Sequence, residues 1–336
     1  NNILDKFNRT LNEVDPKVYL VKHSEENGKL QRCKIFLENC QDYNFSKENL
    51  TDLLEGELIL NEQVYQYLGN NLNFENIIKH GNFNKLNFQN SKIFYEDGIE
   101  IKHNINSNIL NIYQRFPGSR LYIINGELEN INIKFNSYNL EENILTPKNY
   151  PMDSNGLTGC LTLINMTVKN ISIEADGSSC EDTVNFINVK GSVNEINIKN
   201  SFSDGLDIDY SELQIKKILV QKSKNDCVDL SSGKYELKNV NLQNCGDKAL
   251  SVGEKSTLNL NNIIAKNSSI GIASKDSSIV NVDNILFENM KTCIAAYNKK
   301  QEFNGGFVKI NSSMNCINYN KEVDIDNKSK IVKQKI

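Results

Sequence analysis

The sequence predicts an all-β chain: a right-handed parallel β-helix of about 22 residues per coil, with an N-terminal α/β cap region. The first observation is a column of alternating apolar residues. Ile196-Asn-Ile198, Ile218-Leu-Val220, Val240-Asn-Leu242, Ile263-Ile-Ala265 and Ile285-Leu-Phe287 start 22, 22, 23 and 22 residues apart. The second is a parallel column with the same period through Leu161-Thr-Leu163, Val184-Asn-Phe186, Leu206-Asp-Ile208, Val228-Asp-Leu230 and Leu250-Ser-Val252, continuing to Ile272 and Ile294. The third is that helical spacing is not sustained between about Leu121 and Tyr319.

Alternation over three to five residues marks a strand with one apolar face. So short a strand cannot bury a core alone. Coils stacked about 4.8 Å apart pair each strand with its equivalents above and below, and the apolar columns become the interior. Right-handedness follows the crossover preference of parallel strands. Leucine-rich repeats need a Leu/Asn consensus and left-handed hexapeptide helices a six-residue beat, and neither is present.

Residues 1–60 read as a cap region with short helices, one carrying Leu4, Phe7 and Leu11 and another over 46–54, where Ser46 opens a capped start. Residues 57–113 read as short strands with Asn/Gly turns, and the solenoid is placed over 61–320. The beat is weaker through Leu128, Ile131, Ile133, Val168, Ile171 and Ile173. There the extra residues 137–159, with Pro147 and Pro151, read as a long loop placed to overhang the neighbouring face. Residues 321–336 read as a polar tail containing an edge strand.

The length of 336 residues suits one solenoid with an atypical front end, and the net charge of −4 offers no basic field for nucleic acid. No run of 18 apolar residues suggests a membrane span. The chain begins Asn-Asn-Ile, from which a removed signal peptide or upstream domain, and a secreted, periplasmic or cell-surface location, are expected. Eight cysteines show no zinc-site spacing and are expected mainly as buried thiols in the core or its corners. His23, His80 and His103 lie away from the repeats. Abundant Asn suits stacked turns, because Asn tolerates positive φ and hydrogen-bonds to like neighbours.

The chemistry lies in a line of carboxylates. Asp182, Asp204, Asp226 and Asp247 stand 22, 22 and 21 residues apart, each just before a strand of the second column. Asn185, Asp207, Asp229 and Ser251 form a neighbouring line, turned away from the core because the residues flanking them point in. Two unit charges about 4.8 Å apart repel by roughly 1 kcal/mol in water and roughly 3 to 4 kcal/mol at an effective dielectric of 20. Stacked acids therefore need a raised pKa, a neighbouring cation such as Lys248, or a bound hard cation such as Ca²⁺ held by Asp204, Asp207, Asp226 and Asp229. Asp209 and Glu254 extend the patch, and Tyr210, Tyr235 and Tyr297 are the aromatics read as open to it.

At these residues the sequence resembles the polygalacturonases, glycoside hydrolases with a parallel β-helix fold that act on pectic polymers. The segments are Ser203-Asp-Gly-Leu-Asp-Ile208, Asn225-Asp-Cys-Val-Asp-Leu-Ser-Ser-Gly233, Cys245-Gly-Asp-Lys-Ala-Leu-Ser-Val-Gly253 and Gly271-Ile-Ala-Ser-Lys275. The resemblance implies water activation by Asp204 and Asp226 and a substrate carboxylate held by Lys275. It also places Asn225 where the family's proton-donating Asp stands, Lys248 at its His and Ala273 at its substrate-binding Arg, so the family's ordinary mechanism is not implied. The Asp-x-x-Asp pattern is also similar to calcium-dependent polysaccharide lyases, which implies Lys248 as a proton-abstracting base.

The functional expectation is a carbohydrate-active β-helix that binds and cleaves a polysaccharide, as an altered hydrolase or a Ca²⁺-assisted lyase. The catalytic candidates are Asp204, Asp226, Asp229 and Lys248, and the substrate-binding candidates Asp207, Asp247, Lys275 and Tyr210. The alternative is a non-catalytic glycan-binding or structural surface β-helix of the adhesin or tailspike kind. No cofactor is required other than the Ca²⁺ of the lyase reading.

Overall fold

Alternating apolar residues form strands here because the coils give each of them a neighbour on both sides. The computed structural model describes residues 21–26, 29–34, 83–137, 152–153 and 155–334. The chain divides into two units, one of Asn1–Asn82 with Met152–Thr158 and one of Phe83–Pro151 with Gly159–Ile336. In the first unit, strand Val21–Glu26 pairs antiparallel with Lys29–Lys34, and the Asp153 carboxylate accepts the amides of Asn155 and Leu157 at 2.8 Å each. The two helical candidates of the cap and most of the loop at 137–159 lie outside the described residues.

The second unit is a parallel β-helix. It opens with antiparallel pairs, Asn84–Phe88 with Ser91–Tyr95 and Ile99–Asn104 with Ile109–Gln114. Leu121–Ile124 pairs antiparallel with Ser91–Tyr95 on one side and parallel with the next coil on the other. The coils then stack in parallel: Leu121 lies against Leu161, Leu161 against Val184, Val184 against Leu206, Leu206 against Val228, Val228 against Leu250, and Leu250 against Ile272. Within a coil the paired residues fall into three runs, as at 228–231, 234–237 and 239–243. The solenoid continues past Asn320, since Phe307–Ile325 is one strand and Lys330–Lys333 adds a parallel edge strand against Phe307 to Ile310.

The core is the apolar column expected from the sequence. Val184, Phe186, Leu206, Ile208, Val228, Leu230, Leu250 and Val252 are wholly inaccessible, and each buried side chain of this size contributes roughly 1.5 to 3 kcal/mol. The corners are made by Asn in left-handed backbone. Asn125, Asn165 and Asn188 have φ of 58°, 52° and 53°, and their side-chain amides stack at 2.8 and 2.9 Å. A second stack runs through Asn244, Asn267, Asn289 and Asn318 at 2.9, 2.8 and 3.2 Å.

The expectation of buried thiols is corrected. Cys160–Cys180, Cys227–Cys245 and Cys293–Cys316 are disulfides, with Cα atoms 5.4, 5.3 and 6.5 Å apart. Each links chain separated by 20, 18 or 23 residues, close to one coil, so the winding brings the two ends together.

Candidate functional site

The site is built on the strand Asp204–Asp209, which lies between Asp182–Ser201 and Val228–Ser231. Asp182 registers with Asp204, and the Asp226 amide donates to Asp204 Oδ1 at 2.8 Å. The next coil puts the Lys248 amide on Asp226 Oδ1 at 2.9 Å. One column thus reads Asp182, Asp204, Asp226, Lys248 and then Ile270. Asp247 is the residue before that column, and its amide meets the Asn225 carbonyl at 3.1 Å. The interval of 21 instead of 22 residues is the reason: a cation takes the fourth rung and Asp247 flanks it.

Lys248 Nζ stands 3.3 and 3.4 Å from the two Asp226 oxygens and also binds Asp247. Burial pushes the Asp226 carboxyl up to about 6, and the charge of Asp229 adds to this, while the Lys248 ammonium and amide act the other way. For Lys248 burial works against the ammonium, but Asp226 and Asp247 outweigh it and hold the pKa above its ordinary value.

The second column is Thr162, Asn185, Asp207, Asp229, Ser251 and Ala273. These side chains face away from the core, yet Asp207 is only 1% exposed, whereas the Asp229 side chain keeps 23%. The third column is Asp209, Ser231, Gly253, Lys275 and Tyr297. Lys275 Nζ lies 4.0 Å from Asp229 Oδ1. Burial opposes its charge, and Asp229 leads the charges that nevertheless raise its pKa. Tyr297 is raised by burial, with Lys275 and Lys248 opposing.

Asp204, Asp226, Asp229, Asp247, Lys248 and Lys275 therefore share one face on successive coils. Tyr210 does not join Asp204: it follows the far end of the strand Asp204–Asp209, and six residues at about 3.3 Å each place it roughly 20 Å away. With φ of 52° it takes the corner held by Asn188, Asn165 and Asn125 in preceding coils. Tyr235 is corrected to a core residue, 1% exposed, its hydroxyl lying 3.0 and 2.8 Å from the carbonyls of Ile208 and Ser231, either of which can accept its one proton. It is the second residue of the strand Lys234–Gly253, whose alternation turns it inward.

The sequence reading missed Lys299 and Lys300. Their amides donate to Asp276 Oδ1 at 2.7 and 2.8 Å, Lys300 pairs with Glu254, and the pKa of exposed Lys299 is lowered by Lys275 and then by burial. Counting one coil onward from Lys275 would have pointed to this turn.

Among the described residues no group of three His, Cys, Asp or Glu side chains converges as the ligands of one ion. Of the carboxylates expected to hold Ca²⁺, an Asp204 oxygen accepts the Asp226 amide, Asp226 accepts from Lys248, and Asp229 lies towards Lys275. Among the described residues no helix is long and apolar enough to cross a membrane.

No protein-family model matches the chain, and no curated protein matches it. Two solved structures are similar to it in part. The catalytic domain of a GH87 alpha-1,3-glucanase in complex with nigerose is 11% identical, covers 66% of this chain and 55% of its own, and has a TM-score of 0.27. The same domain with one aspartate replaced, in complex with tetrasaccharides, is 11% identical, covers 61% of this chain and 53% of its own, and has a TM-score of 0.26. The chain spans about half the length of these structures. At these scores the likeness carries no argument about the site.

Proposed function

We propose that this chain is a carbohydrate-active β-helix protein that binds a polysaccharide and hydrolyses its glycosidic bonds, with Asp226 as proton donor and Asp229 as the water-activating carboxylate. The observation that carries this is a pair of unlike carboxyl groups close enough to interact, Asp226 in the turn before the strand Val228–Ser231 and Asp229 within it. Asp226 is 3% exposed and raised to about 6, while the Asp229 side chain is 23% exposed and stands near the Lys275 ammonium. Glycoside hydrolysis needs a carboxylic acid that keeps its proton and a carboxylate that has lost it. Asp204 supports the arrangement by holding the Asp226 amide. Lys248, Lys275 and exposed Lys299 supply cations for a uronate-bearing chain.

This assigns Asp226 a different role from the one the polygalacturonase resemblance implies, because burial favours the protonated carboxyl. β-Elimination is supported less well: the Lys248 ammonium lies above its ordinary value, which disfavours a free amine base near neutral pH. Three disulfides among the described residues support an oxidising location, secreted, periplasmic or cell-surface.

A second reading has its own support. Asp204, Asp207 and Asp226 are 7%, 1% and 3% exposed, as suits charges that hold coils together on a non-catalytic glycan-binding scaffold. Incubation with polygalacturonate separates the readings. Hydrolysis releases reducing ends without the ultraviolet absorbance of an unsaturated uronide, and Asp226→Asn and Asp229→Asn each abolish that release. Binding without release of reducing ends supports the second reading, and absorbance lost on chelation would establish the lyase.

A further inference from the structure

We propose that the open cleft beside Asp247 is a sugar-binding extension of the site, taking further units of the same polysaccharide; this rests on the carbohydrate-active reading above. The cleft has a volume of about 450 Å³ and is lined in part by Gly246, Asn267, Ser269, Asn289, Lys291 and Asn318. That is within the range of small-ligand sites. It adjoins the acidic face directly: Gly246 precedes Asp247, and Ser269 Oγ donates to the Gly246 carbonyl at 3.3 Å. Ser269 and Lys291 precede Ile270 and Thr292, the residues that continue the Lys248 column.

The chemistry of the wall favours sugar hydroxyls. A side-chain amide has two N–H donors and an oxygen with two lone pairs. Asn267 and Asn289 each use one N–H on the preceding coil and one lone pair for the following coil, which leaves one of each per rung. Asn318, the last rung, donates to Asn289. All three are exposed, so donors and acceptors recur at the coil spacing of about 4.8 Å along the wall. The chain has no Trp to stack on sugar rings, so recognition there falls to amides and hydroxyls. Exposed Lys291 adds a cation suited to a carboxylate-bearing sugar.

The test uses oligogalacturonides of two and six units, titrated calorimetrically against the full chain and its Ser269→Phe and Lys291→Glu variants, with melting curves to confirm folding. The extension predicts that the wild-type protein favours the six-unit chain and that each variant lowers the six-to-two affinity ratio by about tenfold. An unchanged ratio in both folded variants overturns the cleft while leaving the hydrolase reading standing. Should the wild-type protein bind neither oligomer, the cleft proposal is overturned together with the uronate preference.

Discussion

The Lys248 ammonium lies 3.3 Å from Asp226 Oδ1, and the Lys248 amide lies 2.9 Å from the same oxygen. The two residues are 22 positions apart in sequence and adjacent in one column of the solenoid. Both side chains are largely buried, 12% and 4% exposed, so the two charges meet out of water.

Replacing Lys248 with Met keeps the volume and leaves the Asp226 carboxylate buried without its cation. Removing one partner of such a pair costs about 3 kcal/mol or more. Urea denaturation near pH 7.5 should show a loss of that order, smaller near pH 5, where Asp226 carries its proton. The double change Lys248→Met with Asp226→Asn should recover most of it. Equal stability of Lys248→Met and wild type at both pH values would refute the pair's importance.

Asp226 also sets a pH dependence. Its native pKa of about 6 lies above the ordinary value of about 3.9. The folded state therefore binds the proton more tightly than the unfolded chain. The stabilisation is fully present below about pH 4 and is lost as pH rises through about 6, by roughly 3 kcal/mol at most. Relative to Asp226→Asn, the wild-type protein should lose stability over that window, as read from urea midpoints at half-unit steps. A difference that stays flat from pH 4 to 7 would rule out the raised pKa.

The Cys227–Cys245 disulfide ties the coil carrying Asp226 to the one carrying Asp247 and Lys248, across 18 residues. Closing a loop of that length stabilises by about 3 kcal/mol in the chain-entropy view. The double change to Ala should lower the thermal midpoint by several degrees. It should also lower the release of reducing ends more than the corresponding loss of Cys293–Cys316, which lies farther from Asp226 and Asp229 along the solenoid.

Lys222 interrupts a corner stack. It has φ of 69° and sits between Asn200 and Asn244, which have φ of 56° and 57°. Asn accepts this conformation more readily and adds an amide to bond its neighbours. Lys222→Asn should raise stability by about 1 kcal/mol, visible as a higher urea midpoint. A lower midpoint would show that the lysine is itself a structural contact.

The sequence alone determined the winding and its neighbours. A period of 2 within strands and 22 between them puts Val184, Leu206, Val228 and Leu250 inside, and makes Asp204 and Asp226 adjacent, because both facts follow from backbone geometry repeated coil after coil. Tertiary structure alone decided what happens where the repeat length changes or a corner intervenes. One missing residue puts Lys248, not Asp247, on the fourth rung; the strand after a corner turns Tyr235 into the core; the turn at Asp276 brings Lys299 and Lys300 in beside Lys275. Pairing of the cysteines and burial of Asp207 belong to the same class. Such features depend on how far each corner carries the chain and on what packs around it, distances in space that no regular spacing along the sequence encodes.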